Sequence, residues 1–137
     1  MGFLLDTNVV SELRKASPDV NVHAWMTSVR DADLNLSVLV VGELRQGIEA
    51  LRRHDPAQAE SLDIWLSSMQ RAYGDRILPI TMRIADEWGR LNVPGRLPAI
   101  DGLLAATAKV HGLTLVTRNT RDVARAGVGV LNPFDRP

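Results

Sequence analysis

The 137-residue chain has no cysteine, which excludes a disulfide scaffold, a thiol nucleophile and any thiolate-bound zinc or iron–sulfur centre. That absence fits a reducing compartment, and a cytoplasmic location is expected. No apolar run approaches the roughly 18–20 residues of a membrane span, so no membrane partner is expected either. The opening Met1-Gly2-Phe3-Leu4-Leu5-Asp6 carries no basic stretch and reaches an acid too early to predict a signal peptide. Net charge is missing as well. The 16 basic and 16 acidic residues cancel, so no global field draws the chain toward nucleic acid or lipid. There is no glycine-rich loop of the phosphate- or dinucleotide-binding kind. His23, His54 and His111 stand far apart without an i, i+4 partner, which argues against a zinc site or a Ser-His-Asp triad.

What is present is a globular composition, 45% hydrophobic and 23% charged, without repeats or low-complexity tracts. The length suits one domain over residues 1–137. Arginine is locally dense at Arg45/Arg52/Arg53 and at Arg118/Arg121/Arg125, so patches can still hold a polyanion where the whole chain does not attract one.

Strand and helix signals alternate along the chain. Short apolar runs predict strands at Phe3–Leu5, Leu34–Leu36, Ile77–Ile80, Leu113–Thr117 and Val128–Leu131. Between them, helical spacing predicts helices around Val9–Lys15, Val20–Arg30, Ser37 (as cap) to Leu51, Pro56–Tyr73, Thr81 (as cap) to Leu91, Ala99–His111 and Arg121–Ala126. Gly112 is placed to end the sixth of these. On the fourth, Leu62, Trp65, Leu66 and Met69 share a face that reads as core before interface. Trp25, Trp65 and Trp88 fall on apolar stripes and read as packing residues. The pattern predicts an α/β fold, a three-layer α/β/α sandwich around a mainly parallel sheet of about five strands. Sites in such folds lie beyond the carboxyl ends of the strands.

Four acids stand at the right places for that crevice. Asp6 follows the first strand. Glu43 lies one turn into the helix after Ser37, beside Gly47. Asp101 sits in the first turn of its helix, and Asp122 follows the fourth strand closely. Taken singly, each has a plain structural reading, because acids cap helices and favour their N-termini. Gly47 adds weight, since a glycine inside a helix costs about 1 kcal/mol relative to alanine and is expected where something approaches the backbone closely. The small residues Gly102, Ala105, Ala106 and Ala108 are expected to leave room near Asp101. Converging carboxylates repel one another, and a hard divalent cation is the ordinary remedy.

Four segments then carry a resemblance: Leu5-Asp6-Thr7-Asn8-Val9-Val10-Ser11-Glu12-Leu13, Val41-Gly42-Glu43-Leu44-Arg45-Gln46-Gly47-Ile48, Asp101-Gly102-Leu103-Leu104-Ala105-Ala106-Thr107-Ala108 and Thr117-Arg118-Asn119-Thr120-Arg121-Asp122. In order and spacing they resemble the motifs of PIN-domain ribonucleases, most closely the VapC and FitB type of bacterial toxin. The resemblance implies that Asp6, Glu43, Asp101 and Asp122 are the catalytic, metal-binding acids. It also implies that Thr7, Thr117 and Asn119 orient water or substrate. Some branches carry an acid where this chain has Asn119; here the fourth carboxylate is assigned to Asp122. The resemblance further implies Mg²⁺ or Mn²⁺ as cofactor, RNA as substrate, a homodimer, and a cognate VapB- or FitA-like antitoxin. Arg14, Lys15, Arg45, Arg118 and Arg121 are candidates for contacts to the RNA backbone.

Two other readings stay open. A haloacid-dehalogenase-type phosphatase also places an Asp after its first strand, but it needs a second acid two residues on, where this chain has Asn8. A non-catalytic interaction module would use the acidic cleft to receive a partner protein.

Overall fold

The structure, a computed structural model, describes residues 2–136. Five strands form one parallel sheet: β1 (Phe3–Leu5), β2 (Leu34–Ser37), β3 (Ile77–Leu78), β4 (Thr114–Val116) and β5 (Val130–Leu131), in the order β3-β2-β1-β4-β5. Consecutive strand residues point to opposite faces of a sheet. Leu4 and Leu5 are both fully buried, as are Leu115 and Val116 to within 1%. Both faces are therefore covered, which makes the sheet the middle of three layers.

Among the described residues seven α-helices provide the cover: α1 (Thr7–Leu13), α2 (Val20–Ser28), α3 (Val38–Arg52), α4 (Pro56–Tyr73), α5 (Met82–Leu91), α6 (Ala99–His111) and α7 (Thr120–Val123). Their starts follow local chemistry. Ser37 accepts from Leu39 N at 3.1 Å, and Asp55 accepts from Gln58 N ahead of Pro56 at the first helical position. Thr81 accepts from Ile84 N at 3.2 Å. Gly112 closes α6 in the left-handed region at φ 66°, as glycine permits. Among the described residues no helix is long and apolar enough to cross a membrane.

The boundaries differ from expectation in instructive places. β3 stops at Leu78 instead of running to Ile80, because Pro79 has no N–H to continue the ladder. β5 begins at Val130 instead of Val128, after Gly127 turns the chain at φ 73°. α1 begins at Thr7, two residues early, and α2 ends at Ser28, two residues short of Arg30. The last predicted helix is split: α7 ends at Val123 and a tighter 3₁₀ turn covers Ala124–Ala126.

α3 and α4 lie together, clasped by charge. Asp63 on α4 accepts from Arg45 and from Arg52, each at 2.9 Å, while Glu49 accepts from both arginines and Glu60 pairs with Arg52 at 3.3 Å. On the inner side of α4, Leu66 and Met69 are buried in the core, and Leu62 and Trp65 remain half-buried.

Candidate active site

The site begins where β1 runs out. The Asp6 N–H donates to Val116 O at 3.0 Å, which carries the β1–β4 pairing one residue further and fixes Asp6 at the carboxyl end of the sheet. Its side chain does two things at once. Oδ1 accepts from Val9 N at 3.1 Å and caps α1, so the plain structural role is real. Oδ2 accepts from the hydroxyl of Thr117, the residue that follows β4. Asp6 is 6% exposed and Thr117 2% exposed.

From Thr117 the bonding continues outward. Its Oγ1 accepts from Asn119 N at 3.0 Å, and the Asn119 amide donates to Asp101 Oδ2 at 2.9 Å and to Asp122 Oδ2 at 2.8 Å. On the opposite side Thr7 Oγ1 donates to Glu43 Oε1 at 2.5 Å. A cavity of about 140 Å³ lies among Asp6, Thr7, Asn8, Glu43 and Asp101, floored by Ile100 and Leu104. Asp122 stands outside that lining, exposed, and is tied in through Asn119. The structure thus draws the four acids and the three polar helpers into one neighbourhood, from the end of β1, from α1, α3 and α6, and from the β4–α7 turn and α7.

The electrostatics are those of uncompensated like charge. Burial raises the Asp6 pKa above the usual carboxylate range; the Thr117 and Val9 hydrogen bonds oppose this, and the Asp101 charge adds to it. Burial likewise raises Asp101, with the Asn119 bond opposing and the charges of Asp122 and Glu43 adding. Among the described residues, every hydrogen-bond donor that reaches the four carboxylates is neutral: a hydroxyl, an amide or a backbone N–H. Among the described residues, none of the four makes an ion pair with lysine, arginine or histidine. An all-oxygen, anionic donor set without a basic partner fits a hard cation such as Mg²⁺ or Mn²⁺. The fit is not a ready-made cage. Among the described residues no three acids or imidazoles are gathered closely enough to hold an ion as they stand. The Asn119 amide lies between Asp101 and Asp122, and Asp6 and Glu43 are each turned toward a threonine.

The five basic residues expected at the RNA backbone are treated differently by the fold. Arg45 is held between Asp63 and Glu49, whose hydrogen bonds raise its pKa still further, so it is committed to the α3–α4 clasp. Lys15 pairs with Glu12 at 3.0 Å. The Arg118 guanidinium stacks 3.6 Å over the Phe134 ring. Arg14 and Arg121 are exposed and make no ion pair among the described residues.

Two glycine expectations are corrected. Nothing lies within 4 Å of the place where a Gly47 Cβ would stand, so no group approaches its backbone closely. Instead Gly47 opens onto a hollow of about 310 Å³ that continues from Thr7 and Glu43 toward Leu62 and Trp65. At Gly102 the room is occupied: a Cβ would meet the Trp88 ring at 3.1 Å, so the glycine serves the α5–α6 contact and not the space around Asp101. Sequence reasoning also passed over two residues. Asn8, which enters the sequence argument as the missing second acid of a phosphatase, lines the carboxylate cavity. Glu12 is a buried acid, 9% exposed, and its partners explain it: Lys15 and the Asp19 N–H hold its pKa low and close the α1–α2 turn. A glutamate on the inner side of an apolar helix was the available signal.

Comparison with known proteins points one way. The PIN domain profile matches residues 3–128. The chain is 36% identical to toxin FitB of Neisseria gonorrhoeae, over 96% of this chain and 97% of that protein. It is 35% identical to VapC ribonuclease Y4jK of Sinorhizobium fredii, over 96% and 97% of the two. The crystal structure of FitAcB from Neisseria gonorrhoeae superimposes with a TM-score of 0.89 at 36% identity, covering 96% of this chain and 98% of that one.

Proposed function

The chain belongs to the PIN-domain family, and from that premise we propose that it is a metal-dependent endoribonuclease acting as the toxin of a toxin–antitoxin pair. One observation carries the reading: Asp6, Glu43 and Asp101 line one crevice at the strand ends with Asp122 tied beside it through Asn119, two of these acids have a raised pKa, and among the described residues no basic side chain pairs with any of the four. Asp6 and Asp101 would be the principal ligands of Mg²⁺ or Mn²⁺, with Glu43 and Asp122 completing the set directly or through water. Such an ion, when bound, polarises a phosphodiester and makes a water acidic enough to attack it. The protein's own contribution is to hold oxygen atoms in place. Thr117 fixes the face of Asp6, Thr7 fixes Glu43, and Asn119 spans Asp101 and Asp122 so that these two acids keep their spacing while like-charged.

Of the five basic candidates, Arg14 and Arg121 are left available to an RNA backbone, with Arg118 available on its aromatic rest. The haloacid-dehalogenase alternative finds no second acid at Asn8, which lines the cavity with an amide. The likeness to a toxin supports a cognate antitoxin as partner, and a homodimer is part of the same proposal. An arginine from such an antitoxin would meet the same unpaired acids, which is how the interaction-module reading survives as inhibition.

The test is direct. Purified protein cleaves RNA with Mg²⁺ or Mn²⁺, and Asp6→Ala or Asp101→Ala abolishes cleavage. Activity that persists in EDTA, or in both variants, overturns the reading. Light scattering on the purified protein checks the dimer.

A further inference from the structure

The hollow beside the carboxylate crevice has a shape and position that the metal chemistry does not use. It shares Thr7 and Glu43 with the crevice, so the two spaces adjoin across that hydrogen-bonded pair. Its walls are apolar and come from two helices: Leu44 and Ile48 of α3, and Leu62 and Trp65 of α4. Two polar groups stand on its α1 side, the Ser11 hydroxyl and the exposed guanidinium of Arg14, which makes no ion pair among the described residues. Its outer edge is the bare backbone at Gly47, where a side chain would project into open space.

Resting on the ribonuclease reading, we propose that this hollow is a nucleobase subsite, holding one unstacked base of the RNA next to the scissile phosphate. Three features favour a base over any other occupant. A phosphate at the carboxylates places the flanking nucleotide within reach of a space that adjoins the crevice across Thr7 and Glu43. Single-stranded RNA is recognised by unstacking a base onto an aromatic or apolar platform, and Trp65 with Ile48 and Leu62 supplies one. Charge is complementary: Arg14 stands at the rim, where the backbone of that nucleotide passes, in a chain with no net positive charge to attract RNA otherwise. The Ser11 hydroxyl is the group positioned to read a base edge, so the subsite carries selectivity as well as affinity. Gly47 keeps the entrance open. Its cost to helix α3 is explained by the ligand and not by a packing neighbour.

The subsite is tested on single-stranded RNA with a randomised tract, by sequencing the cut ends. The favoured base is then replaced with an abasic ribose in a defined oligonucleotide. For the unaltered protein we expect one flanking position to show base preference, and the abasic substrate to be cut about tenfold more slowly, the scale of one stacked base. In Gly47→Leu, which fills the hollow, the ratio of intact to abasic rates should fall toward one; Gly47→Ala, a smaller intrusion that also keeps the helix, should give an intermediate ratio. An unaltered protein indifferent to the abasic site, or a ratio unchanged in both variants, overturns the subsite while leaving the ribonuclease reading intact. No cleavage of any RNA by the unaltered protein would sink that reading instead. Base indifference combined with loss of antitoxin inhibition in Gly47→Leu assigns the hollow to a protein helix and refutes the base.

Discussion

Asp101→Asn should make the metal-free protein more stable while removing its response to metal. The carboxylate is half-buried, and its pKa is raised first by burial and then by the charges of Asp122 and Glu43. A raised folded-state pKa means that the folded protein binds the proton more tightly than the unfolded chain does. The stabilising effect of that proton is complete below the ordinary carboxylate range and is lost as pH rises through the raised value. At neutral pH the ionised group is thus a net burden on the fold. Asparagine keeps an oxygen for the Asn119 amide at the 2.9 Å contact and removes the charge. Two unit charges several ångströms apart repel by a few kcal/mol at an effective dielectric of 20. Solvent screening at a partly exposed site brings this to about 1 kcal/mol. For a chain of this length that is a rise in Tm of about 3–4 °C. With Mg²⁺ or Mn²⁺ at ten times its Kd, the unaltered protein should gain about 1.4 kcal/mol from binding, and the variant should gain nothing. The assay is thermal unfolding by circular dichroism, in EDTA and across a metal titration, at pH 7 and again at about pH 5. Toward the lower pH the difference between the two proteins should shrink. A variant that melts below the unaltered protein in EDTA, or that keeps the full metal response, refutes the account of Asp101 as an unpaired acid awaiting a cation.

Thr117→Val removes the hydroxyl that donates to Asp6 at a position only 2% exposed. We expect a loss of about 1–3 kcal/mol, read from the urea midpoint, because a buried carboxylate is left short of a donor. Gly47→Ala places a methyl where nothing lies within 4 Å, so it should stabilise α3 by about 0.5–1 kcal/mol in the same measurement. Asp63→Ala breaks a clasp whose members are all partly exposed and should shift the urea midpoint only slightly, with a shallower salt dependence of stability than the unaltered protein.

The sheet was legible because its evidence is local. Leu4-Leu5 and Leu115-Val116 are adjacent apolar pairs, a pattern that only a sheet covered on both faces requires, and Ser37, Pro56, Thr81 and Gly112 announce helix ends by their own chemistry. The acids were legible as a group because strand ends converge on one edge, and because their family motifs stand in order along the chain. What escaped depends on register between elements. That Arg45 faces Asp63 follows from how α3 and α4 pack across a separation of 18 residues, which periodicity within either helix does not state. That Asn119 faces both Asp101 and Asp122 depends on the turn made by Thr117. Gly47 was read correctly as unusual and wrongly as crowded, since a glycine marks missing volume without saying whether anything fills it.

The double duty of Asp6 explains why a proposed metal ligand and a helix cap look alike in the sequence. One oxygen serves α1 and the other faces Thr117 at the crevice, so the fold and the proposed chemistry use the same side chain. Replacing it with alanine therefore combines two effects of opposite sign. Losing the cap costs about 0.5–2 kcal/mol, while removing a buried charge near Asp101 returns part of that. An unchanged melting temperature in Asp6→Ala would be a cancellation, and a lowered one would leave lost activity open to a folding explanation. Asp101 has no capping bond: Pro98, ahead of α6, provides no side-chain cap, and among the described residues the only hydrogen bond to the Asp101 carboxylate comes from Asn119. Lost cleavage in a variant at Asp101 that is as stable as the unaltered protein, or more so, can be assigned to the site alone. That asymmetry makes Asp101, and not the acid that opens the first motif, the residue on which the metal reading is most cleanly decided.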